Sequence, residues 1–299
     1  MSALVNIDGR LLPPAEARVS VFDRGFLYGD SVYEVVRTYA RRPFELQAHL
    51  ARLARSAGLI GLAIPWDDDR LARELLRTLD AARGPDAEDP AAAPWNRGEQ
   101  TVRIVVTRGS GDLGLDPSLA VAPTSVIIVH PLAGPPASAY RDGVEACVVG
   151  VARAAPTAAD PSAKTGLHLP HVLAVREARG RGAHEALLTD GRGNVTEGAS
   201  SNLFAVREGR VQTPHLGAGI LEGVTRGVVI RLAREAGIAV RETALGVAEL
   251  ESSTELFITS TAREILPVTR LDGRPVGDGR VGPVTRRLHD AFRRLAGGG

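Results

Sequence analysis

The sequence predicts an α+β protein with two domains, and three observations support this. The first half alternates β-branched runs with two amphipathic segments, whereas the second half mixes several strands with three helices. Residues 131–139 between the halves are rich in proline, alanine and glycine, which is typical of an interdomain linker. A chain of 299 residues is long enough for two domains of ordinary size. We therefore expect a small α+β domain at residues 1–130 and a larger domain at residues 140–299.

In the N-terminal domain, β-branched and aromatic runs indicate strands, and apolar residues at helical spacing indicate helices. The predicted strands are residues 4–7, 10–12, 32–39, 101–107 and 125–130. The predicted helices are residues 47–59 and 67–83, and the second begins at three aspartates that can cap it. Loops rich in glycine or proline are expected at residues 19–31, 84–98 and 108–117.

In the C-terminal domain the same criteria indicate five strands and three helices. The predicted strands are residues 144–151, 185–189, 203–206, 210–213 and 255–258. The predicted helices are residues 169–181, 224–235 and 281–295. The sequence contains no internal repeat.

Composition and charge exclude several classes of protein. The 36 Lys and Arg residues balance 35 Asp and Glu residues, so the net charge of +1 gives no field that recruits nucleic acid or an anionic membrane. The single cysteine, Cys147, excludes an intrachain disulfide and a multi-cysteine metal site, and we predict no metal site. No apolar run approaches the roughly 20 residues that span a bilayer. The N-terminus lacks the features of a signal peptide, so we expect a cytoplasmic protein.

Lys164 is the only lysine in the sequence, and the other 35 cationic side chains are arginines. Arginine can replace lysine as a surface charge or a phosphate ligand, but its guanidinium stays protonated and cannot act as a neutral amine. A single lysine in such a composition indicates a site that needs a nucleophilic amine. Schiff-base formation with a carbonyl substrate or with pyridoxal phosphate is the main chemistry of that kind. The alternative is a surface lysine without a chemical role.

Three further segments carry groups that a pyridoxal phosphate site requires. Residues 221–227 form a loop that enters a predicted helix, and residues 259–261 are three consecutive hydroxyl-bearing residues, so both can bind phosphate. Glu197 lies in a polar, glycine-containing turn and offers a carboxylate for the pyridine nitrogen. Taken singly, Thr225 is better explained as a helix N-cap, and Glu197 as a solvated loop acid.

Together these segments resemble the fold-type IV, or class IV, pyridoxal phosphate-dependent aminotransferases. The most specific matches are residues 194–204, at the family's distance from Lys164, and residues 219–226. The resemblance extends from residues 23–30 to residues 282–285. It implies a small α+β domain, a larger pseudo-barrel domain and pyridoxal 5'-phosphate (PLP) as the cofactor. It also implies a homodimer or larger assembly whose active sites borrow a loop from the partner subunit.

The resemblance assigns roles residue by residue. Lys164 matches the lysine that binds the cofactor and later moves a proton between the substrate α-carbon and the cofactor. Glu197 matches the acid that pairs with the pyridine nitrogen, and Arg52 matches the arginine that grips the phosphate. The implied cofactor-binding residues are Arg52, Lys164, His168, Glu197, Val224, Thr225, Ser260 and Thr261. The implied substrate-binding residues are Tyr28, Tyr33, Arg103, Thr261 and Ala262.

The substrate is less sharply indicated. After Gly109 the chain lacks the arginine and histidine with which D-amino-acid aminotransferases trap the substrate carboxylate, and its loop resembles the branched-chain group. We therefore expect transfer of an amino group between a small aliphatic or branched-chain amino acid and a 2-oxo acid such as 2-oxoglutarate. His168 and Thr101 depart from that group, since they stand where tyrosines are usual. The alternatives are a D-amino-acid or (R)-amine transaminase, an aminodeoxychorismate lyase and, more remotely, a non-catalytic binder of a phosphorylated ligand.

Overall fold

The computed structural model describes residues 3–82, 93–152 and 162–297. These residues form two compact units, each with its own β-sheet. The first unit comprises the described residues up to 133, apart from residues 93–94, together with residues 163–167. The short segment that carries Lys164 therefore packs with the N-terminal unit, whereas the sequence predicts that it belongs to the C-terminal domain. The domain boundary at residues 131–139 stays a prediction.

The first unit is an antiparallel sheet of six strands in the order β2-β1-β6-β5-β3-β4. Its strands are β1 (Leu4–Ile7), β2 (Arg10–Leu12), β3 (Ser31–Tyr39), β4 (Arg42–Pro43), β5 (Gln100–Thr107) and β6 (Thr124–Pro131). Its helices are α1 (Arg24–Tyr28), α2 (Leu46–Leu59) and α3 (Asp68–Ala81). All five strands predicted for this part of the chain are present, as are both predicted helices.

The alternation of side chains along β3 explains how this sheet buries one face. Val32 and Val36 of β3 are fully buried, and they form one hydrophobic cluster with Leu50 and Leu53 of α2. The apolar residues of α2 recur at helical spacing, so one side of the helix packs on the sheet. Tyr33 lies between the buried valines and points to the opposite face, because successive side chains alternate along a strand. That opposite face is available for polar chemistry.

The expected loop at residues 19–31 contains the short helix α1. The Asp23 side chain accepts a hydrogen bond from the backbone N–H of Gly25 and caps the helix. Gly29 ends it in the left-handed conformation, with φ of 68°, which glycine adopts without steric cost. The sequence therefore contains signals for the start and the end of a helix, Asp23 and Gly29. A loop was predicted because the segment is rich in glycine.

The second unit contains a nine-stranded mixed sheet in the order β12-β11-β10-β13-β14-β7-β8-β9, with β15 paired to β14. Its strands are β7 (Val144–Ala152), β8 (Glu185–Thr189), β9 (Val195–Gly198), β10 (Asn202–Arg207), β11 (Arg210–Thr213), β12 (Val240–Glu242), β13 (Glu255–Ser260), β14 (Glu264–Leu271) and β15 (Arg274–Pro275). Its helices are α4 (Ala137–Asp142), α5 (Leu169–Gly180), α6 (Val224–Glu235), α7 (Val247–Glu251) and α8 (Pro283–Leu295). Phe204 of β10 and Phe257 of β13 stack at 4.8 Å in its core.

Several elements of this unit are missing from the sequence prediction. The largest is β14, an eight-residue strand that holds Pro267 and joins β13 to β7. The predicted linker at residues 131–139 contains the start of α4, which begins directly after Pro136. The predicted loop at residues 84–98 falls largely on residues outside the described part, but Pro94–Asn96 form a single 3-10 turn. Within the described ranges, no helix is long and apolar enough to cross a membrane.

Candidate active site

Lys164 is fixed to the outer edge of β3 by backbone hydrogen bonds. The N–H of Tyr33 donates to the carbonyl of Lys164 at 3.0 Å, and the N–H of Gly166 donates to the carbonyl of Ser31 at 2.9 Å. The backbone N–H of Lys164 donates to the hydroxyl of Ser56 in α2 at 3.1 Å. These bonds add the lysine segment to the sheet as one more short antiparallel partner.

The side chain of Lys164 lies against Tyr33. Its amine donates to the Tyr33 hydroxyl at 3.2 Å and lies 4.3 Å from the centre of the tyrosine ring. The guanidinium of Arg103, on the neighbouring strand β5, lies 4.8 Å from the same ring centre. All three side chains are half-buried. One face of the sheet in the first unit thus holds an amine, a phenol and a guanidinium together, which suits a substrate that carries a carboxylate.

Arg52 lies in α2 and binds a buried carboxylate on β3. Its Nε and Nη2 atoms donate to the two carboxylate oxygens of Glu34 at 2.6 and 2.8 Å. His49 Nδ1 lies 2.8 Å from the same carboxylate. Burial alone would raise the pKa of Glu34, but the hydrogen bonds from Arg52 and His49 outweigh it and lower the pKa to about 2. Glu34 is therefore ionised, and it fixes the direction in which the Arg52 side chain points.

The sequence carries two signals for Glu34, His49 and Ser56, although none of the three was predicted to lie at the site. Glu34 is an acid at an inward-facing position of a strand, between Val32 and Val36, where a charge needs a partner. His49, Arg52 and Ser56 follow the spacing i, i+3, i+7 and so share one face of α2. That face points at β3.

Glu197 lies in the second unit at the end of β9, where it is buried. Its carboxylate accepts a hydrogen bond of 2.8 Å from the N–H of Leu221. The side chain of Asn202 donates to the carbonyl of the same leucine at 2.9 Å. Two buried polar side chains therefore hold the loop that leads into α6, and Glu197 is a buried acid and not a solvated one.

Helix α6 begins without a side-chain cap. Its N-cap is Gly223, and Val224 and Thr225 are the first helical residues. The backbone N–H groups of a first turn have no partners within the helix, so an uncapped first turn is suited to bind a phosphate. A Cβ at Gly223 would lie 1.9 Å from Oδ1 of Asn202, so this close approach of loop and strand requires glycine. The first turn of α6 is thus not occupied by a capping side chain, and its role in phosphate binding stays a prediction.

The third predicted segment begins at the end of β13, whose last residue is Ser260. Asn202 pairs with Thr259 across β10 and β13, so the turn after Ser260 lies beside the loop that precedes α6. The Thr259 hydroxyl is buried and has no hydrogen-bond partner among the described residues. The hydroxyl of Ser260 accepts a hydrogen bond of 3.0 Å from Nε of Arg263. Thr261 and Ala262 are half-buried in the turn itself.

Arg263 and Glu264 complete this turn, and neither was predicted from the sequence. Arg263 donates to the buried carboxylate of Glu185 at 2.7 Å. Glu264 is fully buried and adopts a left-handed backbone conformation with φ of 55°, which is uncommon for a residue with a side chain. Its carboxylate is bound by His289 and Arg293 of α8, at 2.8 and 2.9 Å. Two ion pairs therefore fix the shape of the turn.

Tyr28 and His168 are the remaining predicted residues. The Tyr28 hydroxyl accepts a hydrogen bond from the N–H of Gly114 at 3.1 Å, so it holds the loop between β5 and β6. His168 directly precedes α5, and its ring centre lies 6.5 Å from that of His171. The loop between β5 and β6 carries no histidine and no arginine after Arg108. Among the described residues, no cluster of three or more His, Cys, Asp or Glu could hold a metal ion.

Residues 31–271 match the family described as amino-transferase class IV. This chain belongs to the class IV aminotransferases. The match covers both units, including the Lys164 segment, Glu197 and the turn after β13. The resemblance stated from the sequence is therefore confirmed, and so is the prediction of a transaminase. PLP is the cofactor of class IV aminotransferases, so the predicted cofactor is confirmed as well.

Relatives of this aminotransferase match it over almost its whole length. One relative is a Methanocaldococcus jannaschii protein whose name assigns it provisionally to the branched-chain-amino-acid aminotransferases. It is 39% identical, and the match covers 97% of this chain and 95% of the relative. The branched-chain-amino-acid aminotransferase of Escherichia coli K12 is 33% identical over 95% of this chain and 90% of its own. A D-alanine aminotransferase of Staphylococcus aureus is 33% identical, and the match covers 96% of both chains.

Solved structures confirm the predicted fold class. The crystal structure of the Escherichia coli branched-chain amino acid aminotransferase superposes with a TM-score of 0.90 at 31% identity, covering 100% of this chain and 96% of the other. The branched-chain aminotransferase of the archaeon Thermoproteus uzoniensis, solved with norvaline, gives a TM-score of 0.88 at 32% identity over 99% and 95% of the two chains. This chain therefore has the α+β fold-type IV architecture.

Proposed function

We propose that this aminotransferase moves an amino group between a small aliphatic or branched-chain amino acid and a 2-oxo acid such as 2-oxoglutarate. The observation that carries the proposal is the position of the single lysine, whose amine lies beside Tyr33 with Arg103 against the same ring. An amine is the group that the cofactor needs, and the guanidinium can bind the carboxylate that amino and keto acids share. The names of the relatives support the branched-chain substrate class.

Each predicted site residue has its own proposed role in cofactor binding, proton transfer or substrate binding. Lys164 would hold the cofactor and move the proton at the substrate α-carbon, and Glu197 would hold a proton at the pyridine nitrogen. The first turn of α6, with Thr225, and the turn with Ser260 and Thr261 would bind the phosphate. When bound, PLP supplies an electron sink for the α-carbon. Arg52 would add positive charge, and Thr261 with Ala262 would meet the substrate carboxylate.

A second candidate is a transaminase of D-amino acids, and one observation favours it. The Staphylococcus aureus D-alanine aminotransferase is as similar in identity to this chain as the Escherichia coli branched-chain enzyme. Against it, the loop between β5 and β6 supplies no arginine and histidine pair for the carboxylate. The (R)-amine and lyase alternatives remain outcomes of the substrate test.

That test is a donor panel read by keto-product formation with 2-oxoglutarate as acceptor. We expect L-leucine, L-isoleucine and L-valine to react, and D-alanine and (R)-1-phenylethylamine to react far more slowly. Preference for D-alanine would overturn the substrate assignment while leaving the transaminase intact. Release of pyruvate from aminodeoxychorismate would instead make the protein a lyase. Absence of any cofactor adduct on Lys164 after borohydride treatment would favour a non-catalytic binder.

We further propose that the enzyme is a cytoplasmic homodimer. Large apolar side chains are exposed near α1 and in the loop between β5 and β6, among them Phe26 (68%), Leu115 (82%) and Val121 (88%). Such a group of exposed apolar side chains is typical of an interaction surface. Light scattering should give about twice the chain mass of 31.5 kDa. A mass near that of one chain would contradict the dimer.

A further inference from the structure

We propose that Tyr33 is a positioning residue for Lys164 that holds both the backbone and the amine of the lysine. The inference rests on the proposed role of Lys164 as the lysine that binds the cofactor. The sequence resemblance suggests a different role for Tyr33, as part of the substrate pocket. The geometry points to a role that exists before any substrate arrives.

The backbone contact comes from the sheet. The N–H of Tyr33 donates to the carbonyl of Lys164 at 3.0 Å, and Val32 is bridged to Thr165 beside it. A Cβ at Gly166 would lie 2.3 Å from Oγ of Ser31, so the segment approaches the strand more closely than a larger residue permits. The α-carbon of the lysine is therefore fixed relative to that of the tyrosine.

The side-chain contact comes from the same tyrosine. The Lys164 amine donates to its hydroxyl at 3.2 Å and lies 4.3 Å from its ring centre. A lysine side chain has four rotatable carbon–carbon bonds, and contacts at both ends restrict its conformations. A nucleophile held in one place reacts faster than one that samples many positions.

Arg103 supports the ring from the neighbouring strand. Its guanidinium carbon lies 4.8 Å from the Tyr33 ring centre, and its strand position is opposite Val35, two residues from Tyr33. Diagonal neighbours of this kind lie on the same face of a sheet. The phenol is thus held between β5 and the lysine segment, so its hydroxyl has a defined direction.

Tyr33→Phe tests the proposal because it removes the hydroxyl and keeps the ring and the backbone N–H. The measurement is the rate at which cofactor-free protein captures PLP, followed by visible absorbance with no substrate present. In this step the lysine nitrogen bonds to the aldehyde carbon and water leaves. We expect capture at least about tenfold slower, because the amine loses the contact that fixes its position and samples more conformations. Capture at the wild-type rate would overturn the proposal.

Tyr39→Phe is the matched control, since Tyr39 lies on the same strand and packs on Phe44 and Arg37, away from the lysine. It should capture PLP at the wild-type rate. Equal slowing in both variants would mean that the strand as a whole is disturbed, and would also overturn the proposal. A substrate-pocket role predicts another pattern, in which Tyr33→Phe raises the donor concentration needed for half-maximal rate and leaves capture unchanged.

Ser56→Ala provides a second variant in case Tyr33→Phe does not fold. It removes the acceptor of the Lys164 N–H and should also slow capture, although by less, because the two β3 contacts stay. Borohydride reduction followed by peptide mass analysis separates the proposal from the function on which it rests. An adduct at Lys164 with normal capture in both variants would refute the positioning role alone. An adduct elsewhere would refute the proposed function.

Discussion

Glu34 and Arg52 form a buried ion pair in which Nε and Nη2 of the arginine meet the two carboxylate oxygens at 2.6 and 2.8 Å. The Glu34 side chain is fully buried, and the Arg52 side chain is 6% exposed. Both charges are therefore removed from bulk water and depend on each other. An arginine that is held in this way presents a fixed edge to any anion beside it, because rotation would break two hydrogen bonds.

Replacement of Glu34 by glutamine should destabilise the protein strongly. The variant keeps the size of the side chain but leaves the buried Arg52 charge without its counter-ion, which costs about 3–5 kcal/mol in comparable buried pairs. Urea unfolding measures the free energy. Asp142→Asn is the control, because Asp142 pairs with Arg141 at an exposed site and should leave the unfolding curve unchanged. A Glu34→Gln curve that overlays the wild type would contradict the ion-pair assignment.

Acid should remove the same stabilisation from the wild type. The pKa of Glu34 is lowered from 4.5 to about 2 in the folded state, so the unfolded chain binds the proton more readily. The contribution is therefore fully present above about pH 4.5 and is lost as the pH falls towards 2. It amounts to about 3 kcal/mol, since one pKa unit corresponds to about 1.4 kcal/mol. The free energy of unfolding of Glu34→Gln should vary less over this pH range, and parallel curves would argue against this origin.

Replacement by alanine should change the stability in opposite directions at two glycines of α6, the N-cap Gly223 and the helical Gly227. A Cβ at Gly223 would lie 1.9 Å from Asn202, so Gly223→Ala should displace the loop and cost about 1–3 kcal/mol. Gly227→Ala meets no atom within 4 Å and should stabilise the helix by about 0.5–1 kcal/mol. Thermal unfolding of the cofactor-free proteins reports both. Gly223→Ala should also weaken the binding of inorganic phosphate, whereas Gly227→Ala should not.

Lys164→Arg should abolish the reaction while it preserves the positive charge. The guanidinium cannot act as a neutral amine, so we expect turnover to fall by at least about 100-fold and covalent capture of PLP to disappear. Lys164→Ala leaves space near Tyr33, and added methylamine should restore part of its turnover. Methylamine should not rescue Lys164→Arg. Substantial turnover in Lys164→Arg without any added amine would exclude the lysine from the chemistry.

Local signals predicted most of the fold, and the elements they missed have identifiable causes. The strand β14 contains Pro267, which argues against a central strand because it cannot donate to a ladder. In the structure the pairing of β14 with β7 begins only at Val268, so the proline does not interrupt that ladder. The helix α4 was not predicted, because the residues that start it, after Pro136, are also typical of a linker.

For the site, the sequence indicated which residues carry reactive groups but not what holds them. Lys164 stood out by its rarity, and Glu197 by its glycine-containing turn. Their partners are distant in sequence: Tyr33 is 131 positions from Lys164, and Leu221 is 24 positions from Glu197. Periodicity describes contacts within one element, so it could not reveal these contacts between elements.

The attachment of residues 164–166 to β3 also affects how the chain matures on the ribosome. The strand is synthesised early, and among the described residues the antiparallel partner of its outer edge at residues 31–33 is a segment some 131 positions later. Unpaired strand edges promote association between nascent chains. A polypeptide that stalls after β6 would have a nearly complete N-terminal core, an open edge and no lysine. Completion of that sheet therefore waits for residues 164–166, and the segments proposed to bind the phosphate are synthesised later still.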